Sequence, residues 1–196
     1  MAEPRTGTCG SSAEYSLDWD GTLTVYGSGA IFDYNDRTKK SPWYDFRDDI
    51  LKIVINSGIT AIGMYNFRRC HNLLEVSIPN SVTEIGMFSF DWCENLEKLT
   101  LGTGVKHIRR NAFDFCDLDS VTLPNGLLTI GAEAFRFNAD IPYVKIPISV
   151  TSIGVAAFGG MQHEFELIGD SKAVKDYCLH NSCYYAKESE KGKERH

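Results

Sequence analysis

From Ile50 to Gly160 the apolar positions along the chain repeat one phrase. Its second statement places apolar residues at Leu73, Val76, Ile78, Val82, Ile85, Phe90 and Cys93, with Pro79 and Gly86 at fixed places between them. The isoleucine class recurs at Ile62, Ile85, Ile108, Ile130 and Ile153. The aromatic class recurs at Phe67, Phe90, Phe113, Phe135 and Phe158, so both classes step by 23, 23, 22 and 23 residues. Two independent position classes that keep one period are the mark of a solenoid. Within each phrase Val76 and Ile78 are separated by one residue and point the same way from a short strand. Pro79, like Pro124 and Pro147, stops that strand because it has no N–H to donate to a ladder. Val82 and Ile85 then turn inward, Gly86 allows a close bend, and Phe90 fills the width of the coil from a short helical or 3-10 turn on the far side.

Residues 1–49 carry a different pattern. Tyr15, Leu17 and Trp19 alternate, Asp20-Gly21 makes a turn, and Leu23, Val25 and Tyr26 follow, which predicts a β-hairpin. Gly27-Ser28-Gly29 is expected to end its second strand. Pro42, Trp43, Tyr44 and Phe46 then return to apolar character. The first coil of a solenoid has no neighbour on one side, so this aromatic cluster is the candidate cover for its open end. After the repeats (50–168), residues 169–186 predict a closing helix with Ala173, Val174, Tyr177 and Cys178 inward, then a strand at Cys183–Tyr185. Residues 187–196 mix both charges without an apolar anchor and are expected to be a disordered tail.

The phrase Leu-x-x-Val-x-Ile-Pro-x-x-Val-x-x-Ile-Gly-x-x-x-Phe-x-x-Cys, with Pro79 through Gly86 almost its consensus, resembles the BspA-like leucine-rich repeats. The resemblance extends to Gly7-Thr8-Cys9-Gly10, Asp20 through Val25 and Pro42-Trp43 before the array, and to Gly169 through Asn181 after it. It implies an α/β repeat fold: a right-handed leucine-rich-repeat solenoid with a parallel β-sheet on the concave face, short helical or 3-10 turns on the convex face, a hairpin cap and a helix/strand cap. It also implies a secreted or cell-surface protein that binds a protein partner such as a host surface or matrix protein, and it brings no catalytic residue and no cofactor. The chain departs from the pattern at Arg109, in the one-residue-shorter unit after Cys116, and at Asn138 and Met161, where Cys is expected.

Composition narrows the picture only a little. A net charge of −6, with no basic run before the last residues, argues against nucleic acid, which needs a cationic face. No apolar stretch approaches the roughly 20 residues that span a bilayer. The amino end, Met1 to Thr8, lacks the apolar segment of a secretory signal, so an extracellular and a cytoplasmic location both stay open. An intracellular scaffold for protein assembly is the alternative function.

The remaining candidates are individual residues. Asp18-Trp19-Asp20-Gly21-Thr22-Leu23-Thr24 matches a magnesium-dependent phosphatase signature. That chemistry needs the first aspartate at the end of a buried parallel strand in a doubly wound domain, which the surrounding sequence does not provide. Cys70, Cys93 and Cys116 share one repeat position and read as a ladder of buried thiols. Cys178 and Cys183 with His180 lack the second ligand pair of a zinc site, and no metal is expected. His71 and His107 read as exposed loop residues. Asp45, Asp48 and Asp49 lack the ligand spacing of a calcium loop. On the strand face, Lys52, Glu75, Lys98, Ser120 and Tyr143 form one outward row, and Val54, Ser77, Thr100, Thr122 and Lys145 the next. Lys52, Glu75, Lys98, Thr100, Tyr143 and Lys145 are the candidate binding residues, Tyr143 and Lys145 being the aromatic and basic pair.

Overall fold

The structure, a computed structural model, describes residues 3–161, 165–181 and 184–187. The chain opens on three antiparallel strands, β1 (Arg5–Thr8), β2 (Gly10–Leu17) and β3 (Thr22–Ile31). The β2–β3 hairpin is the expected one, but β3 does not end at Gly27-Ser28-Gly29. Gly27 and Gly29 adopt φ of 94° and 84°, and a Cβ on Gly27 would lie 2.2 Å from the Ser12 carbonyl oxygen. The strand therefore bends there and continues. The bend gives β3 two parallel partners: Thr22–Val25 pair with β4 (Lys52–Ile55), while Gly29 and Ala30 pair with β5 (Ile59–Ile62). One strand thus starts two ladders.

The coils that follow add a strand to each ladder in turn. These are β6 (Glu75–Ser77) with β7 (Glu84–Ile85), and β8 (Lys98–Thr100) with β9 (His107–Ile108). The next coil adds only β10 (Thr129–Ile130), and the one after it adds β11 (Tyr143–Lys145) and β12 (Ser152–Ile153). β13 (Glu166–Ile168), helix α1 (Lys172–Asn181) and β14 (Tyr184–Ala186) close the described chain. The second ladder is continuous through β5, β7, β9, β10 and β12. The first runs from β4 through β6 to β8 and stops, and β11, β13 and β14 form a separate parallel sheet.

The core is the column that the repeat spacing predicts. Phe67, Phe90, Phe113 and Phe135 are fully buried, and Phe158 nearly so. Their rings stack at 5.0, 5.1, 5.4 and 5.6 Å between successive centroids. Trp43 caps the open end as expected: its ring lies 4.9 Å from Phe67 at 8°, and its Nε1 donates to the Asn66 carbonyl at 2.6 Å. At the other end Tyr177 of α1 meets Phe158 edge-on at 6.0 Å. Val174, Tyr177 and Cys178 are the buried face of this helix, with Ala173 partly buried beside them. Cys183 and the expected tail beyond Lys187 lie outside the described residues.

On the convex side the turns bond across coils. Phe67, Phe90, Phe113 and Phe135 donate their N–H to Ser89, Ala112, Ala134 and Ala157 carbonyls of the next coil at 2.7 to 2.9 Å. Residues flanking the column adopt left-handed backbone: Tyr65, Phe88, Asn111, Glu133 and Ala156 on one side, and Arg69, Trp92, Phe115 and Phe137 on the other, with φ from 51° to 60°. The glycine after four of the five isoleucines, with Arg109 in the remaining place, serves closeness instead of handedness. A Cβ on Gly86 would fall 2.6 Å from the Gly63 carbonyl carbon of the previous coil.

Candidate functional site

The concave face is built by the outward residues of the first ladder, and strand pairing sets Lys52 opposite Glu75 and Glu75 opposite Lys98. Lys52 Nζ lies 3.1 Å from Glu75 Oε1, so the alternation of sign across neighbouring strands has a structural use. Val54, Ser77 and Thr100 form the adjoining row. Four of the six candidate binding residues, Lys52, Glu75, Lys98 and Thr100, thus share one sheet. Tyr143 and Lys145 stand on β11 in the other, and the two groups are not in one continuous ladder.

The break between them follows from local sequence. In two coils the turn runs Cys70-His71-Asn72-Leu73 and Cys93-Glu94-Asn95-Leu96, and Leu73 and Leu96 donate to the Cys70 and Cys93 carbonyls at 3.1 and 2.9 Å. The next coil has only Asp117 between Cys116 and Leu118, so that turn cannot close in the same way. Leu118 instead donates its N–H to Asn138 Oδ1 at 3.3 Å. The chain then enters Ser120–Leu123 with one residue less to reach strand position, and these four residues form no strand. On the far side stands Pro142. The equivalent Leu74 and Glu97 donate to the Leu51 and Leu74 carbonyls of the coil before at 2.8 and 3.2 Å, and proline has no N–H to do so. Asp119 keeps this bond, donating to the Glu97 carbonyl at 3.4 Å, but beyond it Ser120–Leu123 forms no ladder with β8, and Pro142 has no N–H to offer it from the other side.

The opening has two visible consequences. Val76 and Ile78, the inward residues of the intact coil, are buried, whereas Leu99 and Leu101 beside the break are only partly covered. A cleft of about 830 Å³ lies between Ser120–Leu123 and β11. It is lined by outward residues, Thr122, Tyr143 and Lys145 among them, and by inward ones, Val121, Leu123 and Ile146. Residues of both faces of the sheet contribute to the lining of this slot. Tyr143 is half exposed and Ile148 at its mouth is 76% exposed. Sequence reasoning named Tyr143 and Lys145 but missed the slot. The shortened unit and Pro142 were the signals that could have found it.

The cysteine ladder has a hydrogen-bonding role. Cys93 and Cys116 donate from Sγ to the Phe67 and Phe90 carbonyls at 3.1 and 3.3 Å. Asn138, at the same repeat position, donates from Nδ2 to the Phe113 carbonyl at 2.8 Å. Burial pushes the Cys93 and Cys116 thiols well above their ordinary range and raises Cys9 to about 12. All are free thiols, as is Cys70, while Cys178 is disulfide-bonded.

The other candidates resolve into structural roles. Asp18 and Asp20 lie at the tip of an antiparallel hairpin, where Asp20 Oδ1 accepts from the Thr22 N–H at 3.0 Å and the Gly21 N–H donates to the Asp18 carbonyl at 3.1 Å. His107 is not in a loop as expected but in β9, its Nδ1 2.9 Å from Thr129 Oγ1. His71 sits 3.2 Å from Glu94. Asp49 pairs with Arg5. Among the described residues there is no cluster of three potential metal ligands, and no helix is long and apolar enough to cross a membrane. The buried carboxylates Asp91 and Asp114 are met by Arg68 at 2.6 Å and Arg136 at 3.0 Å.

Comparison with known proteins agrees with this geometry. The family model described as the BspA type leucine rich repeat region matches residues 43–184 in six copies. A leucine-rich repeat protein of Eubacterium ventriosum superposes with a TM-score of 0.71 at 36% identity, covering 78% of this chain and 40% of that one. A leucine rich repeat protein of T. pallidum is 25% identical with a TM-score of 0.59, over 81% of this chain and 69% of that one. A leucine rich cell surface protein of Faecalibacterium prausnitzii is 22% identical with a TM-score of 0.60, over 96% of this chain and 56% of that one. The chain thus spans well under two thirds of the E. ventriosum and F. prausnitzii proteins. None of the curated proteins matches it.

Proposed function

The chain belongs to the BspA-type leucine-rich repeat family, and from that premise we propose that it is a non-enzymatic module of a secreted or cell-surface protein that binds a protein partner through its concave strand face. Solenoids use the extended surface that their repeats build side by side. The observation that carries the reading is the slot of about 830 Å³ beside Tyr143 and Lys145. It lies within the roughly 300–1,000 Å³ of ligand sites, and it presents an aromatic side chain of the kind that anchors protein interfaces. Lys52, Glu75, Lys98 and Thr100 supply a polar flank. The disulfide of Cys178 suits an oxidising compartment, which favours the surface over the cytoplasm.

The test is surface plasmon resonance against a panel of immobilised extracellular-matrix proteins. A true partner loses about tenfold or more in affinity with Tyr143→Ala or Lys145→Glu, at unchanged melting temperature. It is bound normally by Trp92→Ala on the convex side. A partner that tolerates both concave substitutions and is lost with Trp92→Ala overturns the proposal.

A further inference from the structure

We propose that Asn125-Gly126 is a self-modifying turn: the Asn125 side chain loses ammonia to become a carboxylate, and so charges the lining of the slot as the protein ages. It is the only Asn-Gly pair in the chain. It stands at the turn that follows Ser120–Leu123, where Asn125 is exposed and lines the cleft with Tyr143 and Ile148. The reaction is intramolecular. The Gly126 nitrogen attacks Asn125 Cγ, its proton leaves with the side-chain nitrogen as ammonia, and a cyclic imide closes. Water then opens either imide carbonyl. One opening leaves an aspartate at position 125, and the other an isoaspartate, in which the main chain runs through the former side chain and is one atom longer; both carry a new negative charge.

This turn leaves both reacting groups free. Attack needs a side chain that can swing, an N–H not committed elsewhere, and a following residue whose side chain does not hinder the approach, which only glycine supplies. In the intact coil the equivalent Asn80 Oδ1 accepts from the Thr103 N–H of the next coil at 2.8 Å, and Ser81 follows it. Ile148 stands where Thr103 does but makes no such bond. Among the described residues, no hydrogen bond engages the Asn125 side chain or the Gly126 N–H. Ser149 Oγ donates to the Asn125 carbonyl at 2.7 Å, which holds the backbone of the turn while the side chain stays loose. The other asparagines are bonded through their side chains or buried, except Asn56, which is exposed but precedes Ser57. A free side chain and a following glycine coincide at Asn125 alone. The modification rests on this turn; its effect on binding rests on the concave-face reading. A partner that covers Tyr143 and Ile148 would then bury a carboxylate where it met a neutral amide, which is costly.

The test keeps the full folded chain at body temperature and mildly alkaline pH and samples it over weeks. Peptide mapping by mass spectrometry follows the gain of about 1 Da at each asparagine, and enzymatic methylation of isoaspartate gives a second readout. Asn125 converts about tenfold or more faster than Asn56 and Asn80, and Gly126→Ala slows it by a similar factor. That variant should fold, since Gly126 does not adopt a positive φ and the one close neighbour of an added Cβ is Lys106 Nζ at 2.4 Å, the flexible end of a side chain; its melting temperature checks this. Equal rates at Asn125 and Asn56 overturn the proposal, as does a Gly126→Ala chain that converts as fast as the parent. Asn125→Asp then reports the consequence for the slot: a matrix protein whose binding depends on Tyr143 binds it about tenfold more weakly. Unchanged binding of that protein overturns the link to the slot and leaves the concave-face reading standing. Conversion at Asn125 in a chain that captures no partner through Tyr143 supports the modification while the concave-face reading fails, which separates the two.

Discussion

Asn138 tests how the array absorbs its short unit. Its side chain is fully buried, donates to the Phe113 and Phe135 carbonyls at 2.8 and 3.0 Å, and accepts from the Leu118 N–H at 3.3 Å. Asn138→Leu keeps a side chain of similar length and removes every one of these bonds. The Phe113 carbonyl and the Leu118 N–H then lose the partner that replaces the usual turn, and each buried unpaired group costs about 1–3 kcal/mol. The expected loss is about 2–5 kcal/mol. Asn138→Cys restores a donor to Phe113, as Cys93 and Cys116 provide for the coils before, but leaves Leu118 unserved, so about half of the loss returns. Insertion of one asparagine between Asp117 and Leu118 in the Asn138→Cys background then recreates the pattern Cys93-Glu94-Asn95-Leu96. Leu118 regains the Cys116 carbonyl, and the new side chain can reach the coil before it, as Asn72 and Asn95 reach the Asp48 and His71 carbonyls at 2.7 and 2.6 Å. The assay is urea unfolding followed by circular dichroism, comparing midpoints at constant slope. The insertion and Asn138→Cys should offset each other with a coupling of about 1–3 kcal/mol. Destabilisations that simply add, or an Asn138→Leu chain within about 0.5 kcal/mol of the parent, would refute the compensation.

Other perturbations follow from the same structure. Phe113, fully buried between rings at 5.1 and 5.4 Å, should cost about 3–5 kcal/mol when changed to Ala. Exposed Thr100→Ala should stay within about 0.5 kcal/mol, and equal melting temperatures for the two contradict the stacked column. Ala156 has φ of 51°, so Ala156→Gly relieves about 1–2 kcal/mol of left-handed strain against about 0.4–1 kcal/mol of added unfolded-state freedom. The melting temperature should hold or rise, and a loss of about 1 kcal/mol, the usual helix-interior penalty, contradicts the assignment. Arg109 Nε and Nη2 donate to Glu84 at 2.9 and 2.7 Å, and these bonds hold the Glu84 carboxyl below its ordinary range. The stabilisation is therefore complete above the unfolded glutamate value of about 4.3 and disappears as pH falls through the lower folded value. With side chains 45% and 39% exposed, solvent screening limits it to about 0.2–1 kcal/mol. The stability gap between the parent and Glu84→Gln should be present at neutral pH and vanish in acid, and a gap that persists in acid contradicts this.

The elements legible in the sequence are those whose signal is carried by side-chain chemistry. The phenylalanine column, the Trp43 cap and the inward face of α1 are apolar positions at fixed spacing, and burial is what apolar spacing encodes. The path of β3 was not legible because a pair of glycines reads equally as a strand end or a strand bend. Only the close approach of Ser12 to Gly27 decides for the bend. The split of the concave sheet was half legible. The 22-residue step marks the coil, but its effect on strand pairing depends on Pro142 lying one coil later, at the position that should have donated back. Tyr143 and Lys145 stood out as an aromatic and a basic residue, while Val121 and Leu123 looked like ordinary core positions.

The left-handed columns were illegible for a deeper reason. Tyr65, Phe88, Trp92, Phe115 and Phe137 are bulky residues, for which φ near 55° is normally unfavourable by about 1–2 kcal/mol each, so no local rule predicts it. The favourable terms come from the neighbouring coil. Tyr65, Phe88, Trp92 and Phe115 each donate a backbone N–H to a carbonyl of the next turn at 2.9 to 3.1 Å. Their rings also stack, Tyr65 on Phe88 at 4.9 Å and Trp92 on Phe115 at 4.3 Å. An isolated coil would bear the strain without those bonds and would relax from this backbone. The conformation is therefore a property of the stack, and it makes the convex side cooperative along the array. Conversely, a coil whose concave rungs are missing, such as Ser120–Leu123, can be held in place from behind. Phe113 and Phe115 still donate to Ala134 and Arg136 at 2.8 and 2.9 Å, so the slot opens in the sheet while the convex ladder behind it runs on unbroken.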